Sequence, residues 1–413
     1  MVVGLDIGTT KVCVVIGERN EKGILEITGL GVCPSTGMKK GVVVNIEATL
    51  RSVTTAIEAA EMMCGREVHN CWTGIGGSHI DGINSRGVVT VSGKNRETRE
   101  IGPDDLNRVL QIAQEVVIPM DRQVLEVIPQ SYIVDNQRGI RNPLDMLGIR
   151  LEAEVHIITC SSTSAQNLIN CVNRAGFHVQ LILQSLAAGR SVLTEEEKDM
   201  GVALVDLGGG TTDMMVYSDG APYSTTTIPV GADLVTRDLS IMKSISFENA
   251  EKIKIDAGCC WESLLEGEDV IIPGIGGRPT IPIPRGQILG IVRPRMEEIY
   301  RMVKEGLDKL SLSHPLGAGI VLTGGGAMLS GAAELASHIF RMPVRVGNPL
   351  PVPGLLEEYR NPLYATAIGL ALEGNDRETR GMEERGGEKP GGARGGNFLG
   401  IGKFVDWLKR EFF

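Results

Sequence analysis

Alternating apolar and polar residues divide the chain into strand-like and helix-like runs. Residues 3–17 read VGLDIGTTKVCVVIG: an apolar run, a turn rich in glycine and threonine, and a second apolar run. Residues 203–217, ALVDLGGGTTDMMVY, repeat this plan, with Asp6 and Asp206 at matching places. Two copies of one β-hairpin unit predict two similar lobes related by duplication.

Helical periodicity marks further segments of the chain. In chain order these are 47–64, 163–175, 247–257, 293–310 and 363–373. Strands and helices therefore alternate, which favours layered α/β domains. Residues 83–159 are predicted to form an inserted module, since they begin with a strand-like run, contain one helical stretch over 103–117, and end with the alternating RLEAEVHIIT.

The last 40 residues have a different pattern. Residues 374–396 have no aromatic residue and one Met as their only large apolar side chain, which predicts a flexible linker. Residues 397–413 read NFLGIGKFVDWLKREFF. On a helix, an apolar arc is formed by Phe398, Ile401, Phe404, Val405, Leu408 and Phe412, with Trp407 off the arc towards the polar side.

This C-terminal segment is too short and too charged to span a bilayer, but its pattern suits a helix lying in the membrane interface. A helix docked on its own domain is the alternative. The linker before it argues against docking, because a core helix rarely follows a long glycine-rich tether. We therefore expect the six arc residues and Trp407 to contact lipid.

Composition limits the classes of function. A chain of 413 residues is too long for one hydrophobic core and predicts two to four domains. The net charge of −10 gives no indication of a nucleic-acid partner. The 8 cysteines include no CxxC pair, which argues against a zinc site and predicts free thiols, several of them buried.

The candidate chemistry lies in three glycine-rich turns that each follow an apolar strand. In the first, glycine lets backbone N–H groups approach anionic oxygens, threonine adds hydroxyl donors and lysine adds positive charge. Its candidate residues are Asp6, Gly8, Thr9, Thr10 and Lys11. The aspartate is also a candidate to hold magnesium through water.

The second turn repeats this chemistry, so two turns could clamp one polyphosphate from opposite sides. Its candidates are Asp206 (also for magnesium), Gly208, Gly209, Gly210, Thr211 and Thr212. The third turn, Gly324, Gly325 and Gly326, has no acid or lysine beside it and suits a nucleobase or sugar. One such turn alone is more often only a turn. The Walker pattern is absent, which excludes a P-loop protein.

These motifs resemble the superfamily of actin, the Hsp70 ATPase domain and the sugar kinases. DIGTTK resembles its first phosphate loop, DLGGGTTD its second, and LTGGGAML its adenosine motif. The resemblance implies that Glu251 and Lys254, one helical turn apart, reach the ribose and base. A solvated surface pair is the alternative for these two residues.

Within this superfamily the chain resembles the FtsA family of bacterial division proteins. The resemblance is carried by GSHIDGINSRGVVTVSG (77–93), VIPQSYIVD (127–135), RLEAEVHIITCSSTSAQNL (150–168), SVLTEEEKDMGVALVDLGGGTTD (191–213), GGRP (276–279) and AGIVLTGGGAML (318–329). It implies a duplicated, two-lobed α/β ATPase fold of the actin-like (ribonuclease H-like) type with an inserted FtsA-type subdomain.

The expected domains combine this resemblance with the patterns above. They are a first lobe (1–82, 160–199 and 355–373), the inserted subdomain (83–159), a second-lobe core (200–244 and 314–354), an outer subdomain (245–313), the linker (374–396) and the amphipathic membrane helix (397–413).

The resemblance also bears on catalysis. In relatives that hydrolyse ATP well, an acid or amide near Gln184 orients the attacking water. Gln184 is therefore the catalytic candidate, and a contact at a helix start is the alternative. The chain departs from the usual family pattern here (LILQSLAAGRS) and near Ala232 and Asp233. We expect an adaptor that binds ATP and is at most a slow ATPase.

The expected function is an actin-like adaptor that binds ATP and magnesium, self-assembles and tethers FtsZ to the cytoplasmic face of the bacterial inner membrane at the division site. The resemblance places FtsZ binding at 245–313. There we predict that Arg293, Arg295 and Arg301 meet the acidic FtsZ tail, an ordinary solvated helix being the alternative. Later division proteins are possible further partners. The alternative function is a small-metabolite kinase of the same superfamily.

Overall fold

The computed structural model describes residues 1–21, 23–91, 98–265, 267–272, 280–312 and 314–386, with the backbone alone over 381–386. The predicted lipid-contacting residues and the linker residues 387–396 lie outside these ranges. No helix within them combines the length and apolarity needed to cross a bilayer. The cysteines are all unpaired, and most are buried, as predicted.

The elements alternate along much of the chain. The strands are β1 (Val2–Ile7), β2 (Lys11–Arg19), β3 (Leu25–Pro34), β4 (Met38–Lys39), β5 (Val42–Val43), β6 (Asn70–Ile75), β7 (Asp81–Thr90), β8 (Arg99–Glu100), β9 (Arg122–Val134), β10 (Gln137–Ile140), β11 (Leu147–Gly148), β12 (Arg150–Ser161), β13 (His178–Leu183), β14 (Val202–Leu207), β15 (Thr212–Ser218), β16 (Ala221–Ile228), β17 (Val270–Ile272), β18 (Ile281–Ile283), β19 (Gly319–Thr323) and β20 (Val344–Val346). The helices are α1 (Ile46–Cys64), α2 (Pro103–Gln114), α3 (Ser162–Arg174), α4 (Gln184–Val192), α5 (Glu195–Met200), α6 (Asp233–Lys243), α7 (Phe247–Ala257), α8 (Arg285–Asp308), α9 (Ala332–Phe340) and α10 (Ala365–Gly386).

Two five-stranded sheets of the same topology form the cores of the two lobes. The first has the order β13-β6-β1-β2-β3 and the second β20-β19-β14-β15-β16. In each, three antiparallel strands are extended by two parallel ones. Asp6 pairs with Cys13 across the first hairpin, and Asp206 pairs with Asp213 across the second. The predicted duplication is therefore confirmed.

Helix α1 shows how the sequence determines these elements. The Asn45 side chain accepts a hydrogen bond from the Ala48 N–H at the start, and Gly65 ends the helix with φ 73°. Its buried face packs against β3 at Gly31, where a Cβ atom would lie 2.0 Å from the Ala56 carbonyl oxygen. Only glycine permits so close an approach. The predicted bounds of 47–64 differ from those observed by one residue.

The inserted sheet, with the order β10-β9-β12-β7, is covered by α2. This helix ends at Gln114, three residues earlier than predicted, before the β-branched run that leads to Pro119. The sheet also contacts edge strand β16 of the second lobe. There the Gln130 amide donates to the Pro222 carbonyl at 3.0 Å, and His156 Nε2 lies 3.0 Å from Thr225 Oγ1.

Helix α8 is longer than predicted. It begins at Arg285, eight residues before the expected start at 293, and contains Pro294 in its interior. Proline has no N–H, so the carbonyl of Gly290 lacks its helical partner. Together with α6 and α7, this helix encloses the apolar interior of the outer part of the second lobe.

Helix α10 corrects the predicted linker. Residues 374–386 continue the helix, so the prediction of a flexible tether is wrong over this stretch. Its polar and charged residues have partners on the first lobe and the adjoining part of β9. Arg19 Nε donates to Asn375 at 2.7 Å, Arg190 pairs with Asp376 at 2.8 Å, and Arg377 pairs with Glu126 at 2.6 Å. Pattern analysis missed the packing because these partners are distant in sequence.

Candidate functional site

The first glycine-rich turn connects β1 to β2 and is closed by a hydrogen bond from the Gly8 N–H to the Lys11 carbonyl at 2.9 Å. Asp6, which is 5% exposed, forms an ion pair with Lys11 at 3.0 Å. Burial alone would lower the pKa of Lys11, but Asp6 and other nearby negative groups outweigh it and raise that pKa. Lys11 is therefore a fixed positive charge.

The second turn connects β14 to β15, and its threonine hydroxyls donate hydrogen bonds within the protein. The Thr211 hydroxyl donates to Asp213 at 3.0 Å. The Thr212 hydroxyl donates to the Val230 carbonyl at 2.8 Å, and Thr212 is fully buried. Asp206 accepts a hydrogen bond from Thr366 in α10 at 3.0 Å. Threonine hydroxyls predicted as ligand donors thus hold the turn in shape.

The first and second turns contact each other across the two lobes. A Cβ atom on Gly210 would lie 2.5 Å from Thr9 Oγ1. A Cβ atom on Gly209 would lie 2.6 Å from Thr10 Cγ2. A side chain at either position would force the facing threonine to move, so glycine favours the close approach of the two turns. The structure brings together these parts of the predicted clamp.

The third turn follows β19, the neighbour of β14. Gly324 has φ 80°, and a Cβ atom there would lie 2.2 Å from Asp206 Oδ1 and 2.8 Å from the Leu207 carbonyl oxygen. Gly326 also packs against Leu207, whereas Gly325 is exposed. The second and third turns thus form one continuous surface, which the sequence separation of their residues did not reveal.

The Glu251–Lys254 pair lies on α7, with its side chains joined at 2.7 Å and Lys254 only 7% exposed. Glu251 also accepts a hydrogen bond from Thr236 on α6. A largely buried lysine does not fit the alternative of a solvated surface pair. The pair lies beside Asp233, whose pKa is affected by both residues.

Asp233 is a site residue that sequence reasoning missed. It begins α6, and its N–H donates to the Gly209 carbonyl of the second turn at 2.9 Å. Its Oδ1 atom is buried without a hydrogen-bond partner among the described residues. Burial raises the pKa of this carboxyl, and Lys254 partly opposes the shift. The sequence marked the position only as a departure from the family pattern.

Gln184 is the first residue of α4, and its amide donates to Asp6 Oδ1 at 3.1 Å. A Cβ atom on Gly76 would lie 2.0 Å from its Oε1 atom. Gln184 is therefore enclosed at a helix start against the first turn. This placement agrees with the helix-start alternative and leaves the catalytic role as a prediction.

Asp206 is a carboxyl of the site whose pKa is strongly raised. Burial, followed by the negative charges of Asp213 and Asp6, raises its pKa to about 7. The Thr366 hydrogen bond and Lys11 act in the opposite direction. Near neutral pH this carboxyl thus gains or loses a proton easily.

We expect Asp206→Asn to stabilise the nucleotide-free protein at pH 8 by roughly 2 kcal/mol and to have little effect at pH 4. A carboxyl with a raised folded-state pKa contributes its full stability below the unfolded pKa and loses it as the pH rises through about 7. Asparagine mimics the protonated form at every pH. Urea unfolding at both pH values measures the difference.

The matched control is Asp219→Asn, at an exposed turn with φ 53°, a conformation that asparagine tolerates. We expect this control to unfold at the same urea concentration as the wild-type protein at pH 8, because its side chain is exposed. An equal stability of Asp206→Asn and the wild-type protein at pH 8 would show that the raised pKa is wrong.

The predicted partner arginines are not free positive charges. Arg293 pairs with Glu297 at 2.9 Å, Arg295 with Asp238 at 2.7 Å, and Arg301 with Glu297 at 3.1 Å. The prediction that these arginines are available to an acidic tail is corrected, because each already pairs with a carboxylate on α8 or α6. Arg301 remains the most exposed of the three, at 68%.

Comparisons with known proteins agree with this architecture. The family model described as "Cell division protein FtsA" matches residues 203–369, and the model "SHS2 domain inserted in FTSA" matches 77–159. The chain is 45% identical to cell division protein FtsA of Pseudomonas aeruginosa over 384 residues, 92% of this chain and 91% of that relative. It is 38% identical to cell division protein FtsA of Escherichia coli over 421 aligned positions, 100% of this chain and 98% of the relative.

Solved structures support the fold. The type IV pilus biogenesis complex PilM-PilN matches with a TM-score of 0.64 at 16% identity, covering 91% of this chain and 98% of that chain. MreB5 of Spiroplasma citri bound to ADP matches with a TM-score of 0.54 at 14% identity, covering 94% and 98%. The predicted two-lobed actin-like fold with an inserted module is confirmed.

Proposed function

The chain belongs to the FtsA family of cell division proteins, and from this premise we propose that it binds magnesium-ATP between its lobes, self-assembles, and tethers FtsZ to the cytoplasmic membrane at the division site. The observation that carries the nucleotide part is the contact between the two phosphate turns. Glycines of the second lobe and threonines of the first meet there, beside the fixed charge of Lys11.

The residues present fit this nucleotide. The unpartnered buried oxygen of Asp233 beside the second turn would accept from a hydroxyl or a magnesium-bound water, and not from a phosphate oxygen. The first two turns and Lys11 would hold the phosphates, and Asp6 and Asp206 would hold magnesium through water. The third turn, with Glu251 and Lys254, would hold the adenosine. When bound, magnesium-ATP would supply negatively charged phosphates and a divalent cation, and residues of both lobes would contact them.

Hydrolysis is expected to be slow. Gln184 already donates one amide N–H to Asp6 and lies against Gly76, which limits how its side chain can turn to orient a water. We therefore propose that ATP acts mainly as a conformational ligand that favours closed lobes and self-assembly. MamK, a structural neighbour with a TM-score of 0.51, is described as a double helical filament.

For FtsZ we propose a groove between α6 and α8 with a volume of about 280 Å³. It is lined by Asp238, Met242, Gly290, Ile291, Pro294, Arg295 and Glu298. Met242, Ile291 and Pro294 offer apolar surface, and the Gly290 carbonyl that proline leaves without its helical partner offers an acceptor. Arg301 on α8 adds an exposed positive charge for an acidic peptide.

The proposal is tested by co-sedimenting the full chain and FtsZ with liposomes, with and without magnesium-ATP. We expect FtsZ to pellet only when both this protein and lipid are present, and to a greater extent with ATP. If the protein binds ATP but brings neither itself nor FtsZ to lipid, the tether is contradicted. A soluble metabolite kinase would then become the better hypothesis.

The groove and Arg301 are tested by titrating an FtsZ tail peptide into the Met242→Gln and Arg301→Glu variants. Each is expected to weaken binding of an FtsZ tail peptide about tenfold, through lost apolar contact or reversed charge. Arg51→Glu, at an exposed position on α1 of the first lobe, is the control. Unchanged peptide affinity in both variants would remove this site.

A further inference from the structure

A short hairpin in the first lobe reaches the proposed phosphate site. Strands β4 and β5 pair Met38 with Val43 and Lys39 with Val42. The turn between them consists of Lys40, with φ 50°, and Gly41, with φ 79°. Two successive residues with positive φ are typical of a type I′ turn, in which asparagine, aspartate or glycine is preferred at the first position. Turn geometry therefore does not account for the lysine.

The tip of this hairpin lies between the lobes. On one side, a Cβ atom on Gly41 would lie 2.6 Å from the Gly76 carbonyl oxygen of the first lobe. On the other, a Cβ atom on Gly210 would lie 3.1 Å from both the N and the Cα atom of Lys40. The Lys40 backbone thus contacts the second phosphate turn, next to the place where Thr9 of the first turn meets it.

Lys40 differs from the other two lysines of the site because it has no acidic partner among the described residues. Lys11 is paired with Asp6 at 3.0 Å, and Lys254 with Glu251 at 2.7 Å. Lys40 is exposed, and within the described ranges its ammonium group makes no ion pair or hydrogen bond. It is therefore a positive charge at the phosphate turns that no carboxylate of the described chain neutralises.

We propose that Lys40 is a further nucleotide-binding residue, whose ammonium group contacts the terminal phosphates of a nucleoside di- or triphosphate. The inference rests on the proposed nucleotide binding and deepens it. The flexible four-carbon side chain starts beside Gly210, so it can follow a phosphate held by the two turns. A nucleoside monophosphate lacks the β- and γ-phosphates that Lys40 would contact. Lys40 therefore favours ATP and ADP over AMP.

The test is Lys40→Asn in the full chain, because asparagine suits the type I′ turn and removes the ammonium group. Dissociation constants are measured for fluorescent ATP, ADP and AMP analogues with magnesium. Losing one charge-assisted contact should weaken ATP and ADP binding about tenfold and leave AMP binding unchanged. Lys40→Arg should bind within about threefold of the wild-type protein.

Lys39→Gln is the matched control, since Lys39 is exposed in the same hairpin. It should bind all three nucleotides like the wild-type protein. If wild-type protein binds none of them, the proposed function itself fails, and this inference with it. If the wild-type protein binds and Lys40→Asn retains ATP affinity, or loses AMP affinity equally, only the assignment of Lys40 is overturned.

Discussion

Deleting residues 397–413 is expected to abolish sedimentation of the protein with liposomes and to leave ATP affinity unchanged. The segment contains the whole predicted apolar arc, Phe398 to Phe412. Burying each large apolar side chain contributes roughly 1.5–3 kcal/mol, so losing all of them removes the driving force for membrane binding. The phosphate turns end far earlier in the chain and should be unaffected. Flotation or co-sedimentation measures the first effect and nucleotide titration the second.

A point substitution tests the same surface without shortening the chain. Leu408→Asp places a charge within the arc and should weaken liposome binding strongly. Asp406→Asn lies on the opposite side of the predicted helix and serves as the control. Since one helix binds weakly, assembled protein should bind more tightly than the monomer through avidity. Persistent liposome binding by the deletion variant would disprove the membrane helix.

Replacing Arg377 by Met is expected to destabilise the first lobe by about 3 kcal/mol. Arg377 bridges Glu126 of β9 at 2.6 Å and Glu373 of α10 at 2.8 Å, and both glutamates are at least 86% buried. Burial raises the pKa of Glu126 even with Arg377 present, whereas for Glu373 the arginine outweighs burial and the pKa is lowered. Without Arg377, both carboxylates would remain buried and would lack the positive charge that lies at ion-pair distance from each of them.

The measurement is urea unfolding monitored by tryptophan fluorescence, because the Arg377 Cζ atom lies 5.8 Å from the centroid of the Trp72 ring. Removing the positive charge raises the pKa of both carboxyls, so the loss should shrink as the pH falls and they become neutral. Adding Glu126→Gln and Glu373→Gln should restore much of the stability.

Arg174→Met, which breaks an exposed pair with Glu47, is the control and should cost less than about 1 kcal/mol. An equally small effect of Arg377→Met would show that the bridge does not hold α10 to the first lobe.

This bridge matters because α10 connects two functional regions. Its second residue, Thr366, donates to Asp206 in the second phosphate turn. About eleven residues later, or roughly 16 Å along the helix, Arg377 holds it to β9. The segment that leads towards the predicted membrane helix is thus helical at least to residue 386.

Local sequence determined much of the fold. The repeated strand–turn–strand units predicted two matching sheets, because alternation and glycine turns are properties of neighbouring residues. Helices α1, α3 and α7 were predicted to within about one residue for the same reason, as periodicity and capping act within a few turns. The three glycine-rich turns were also visible, since each motif is contiguous.

Only the tertiary structure decided which residues meet across these units. The unpartnered Asp233 oxygen, the Thr366 contact to Asp206 and the Lys40 hairpin all depend on residues distant in sequence. The extension of α10 through 374–386 had no local apolar signal, because its charged side chains are satisfied by partners elsewhere in the chain. Sequence pattern records the preference of each segment, whereas ion pairing, burial and the pKa of Asp206 arise only when separate segments pack together.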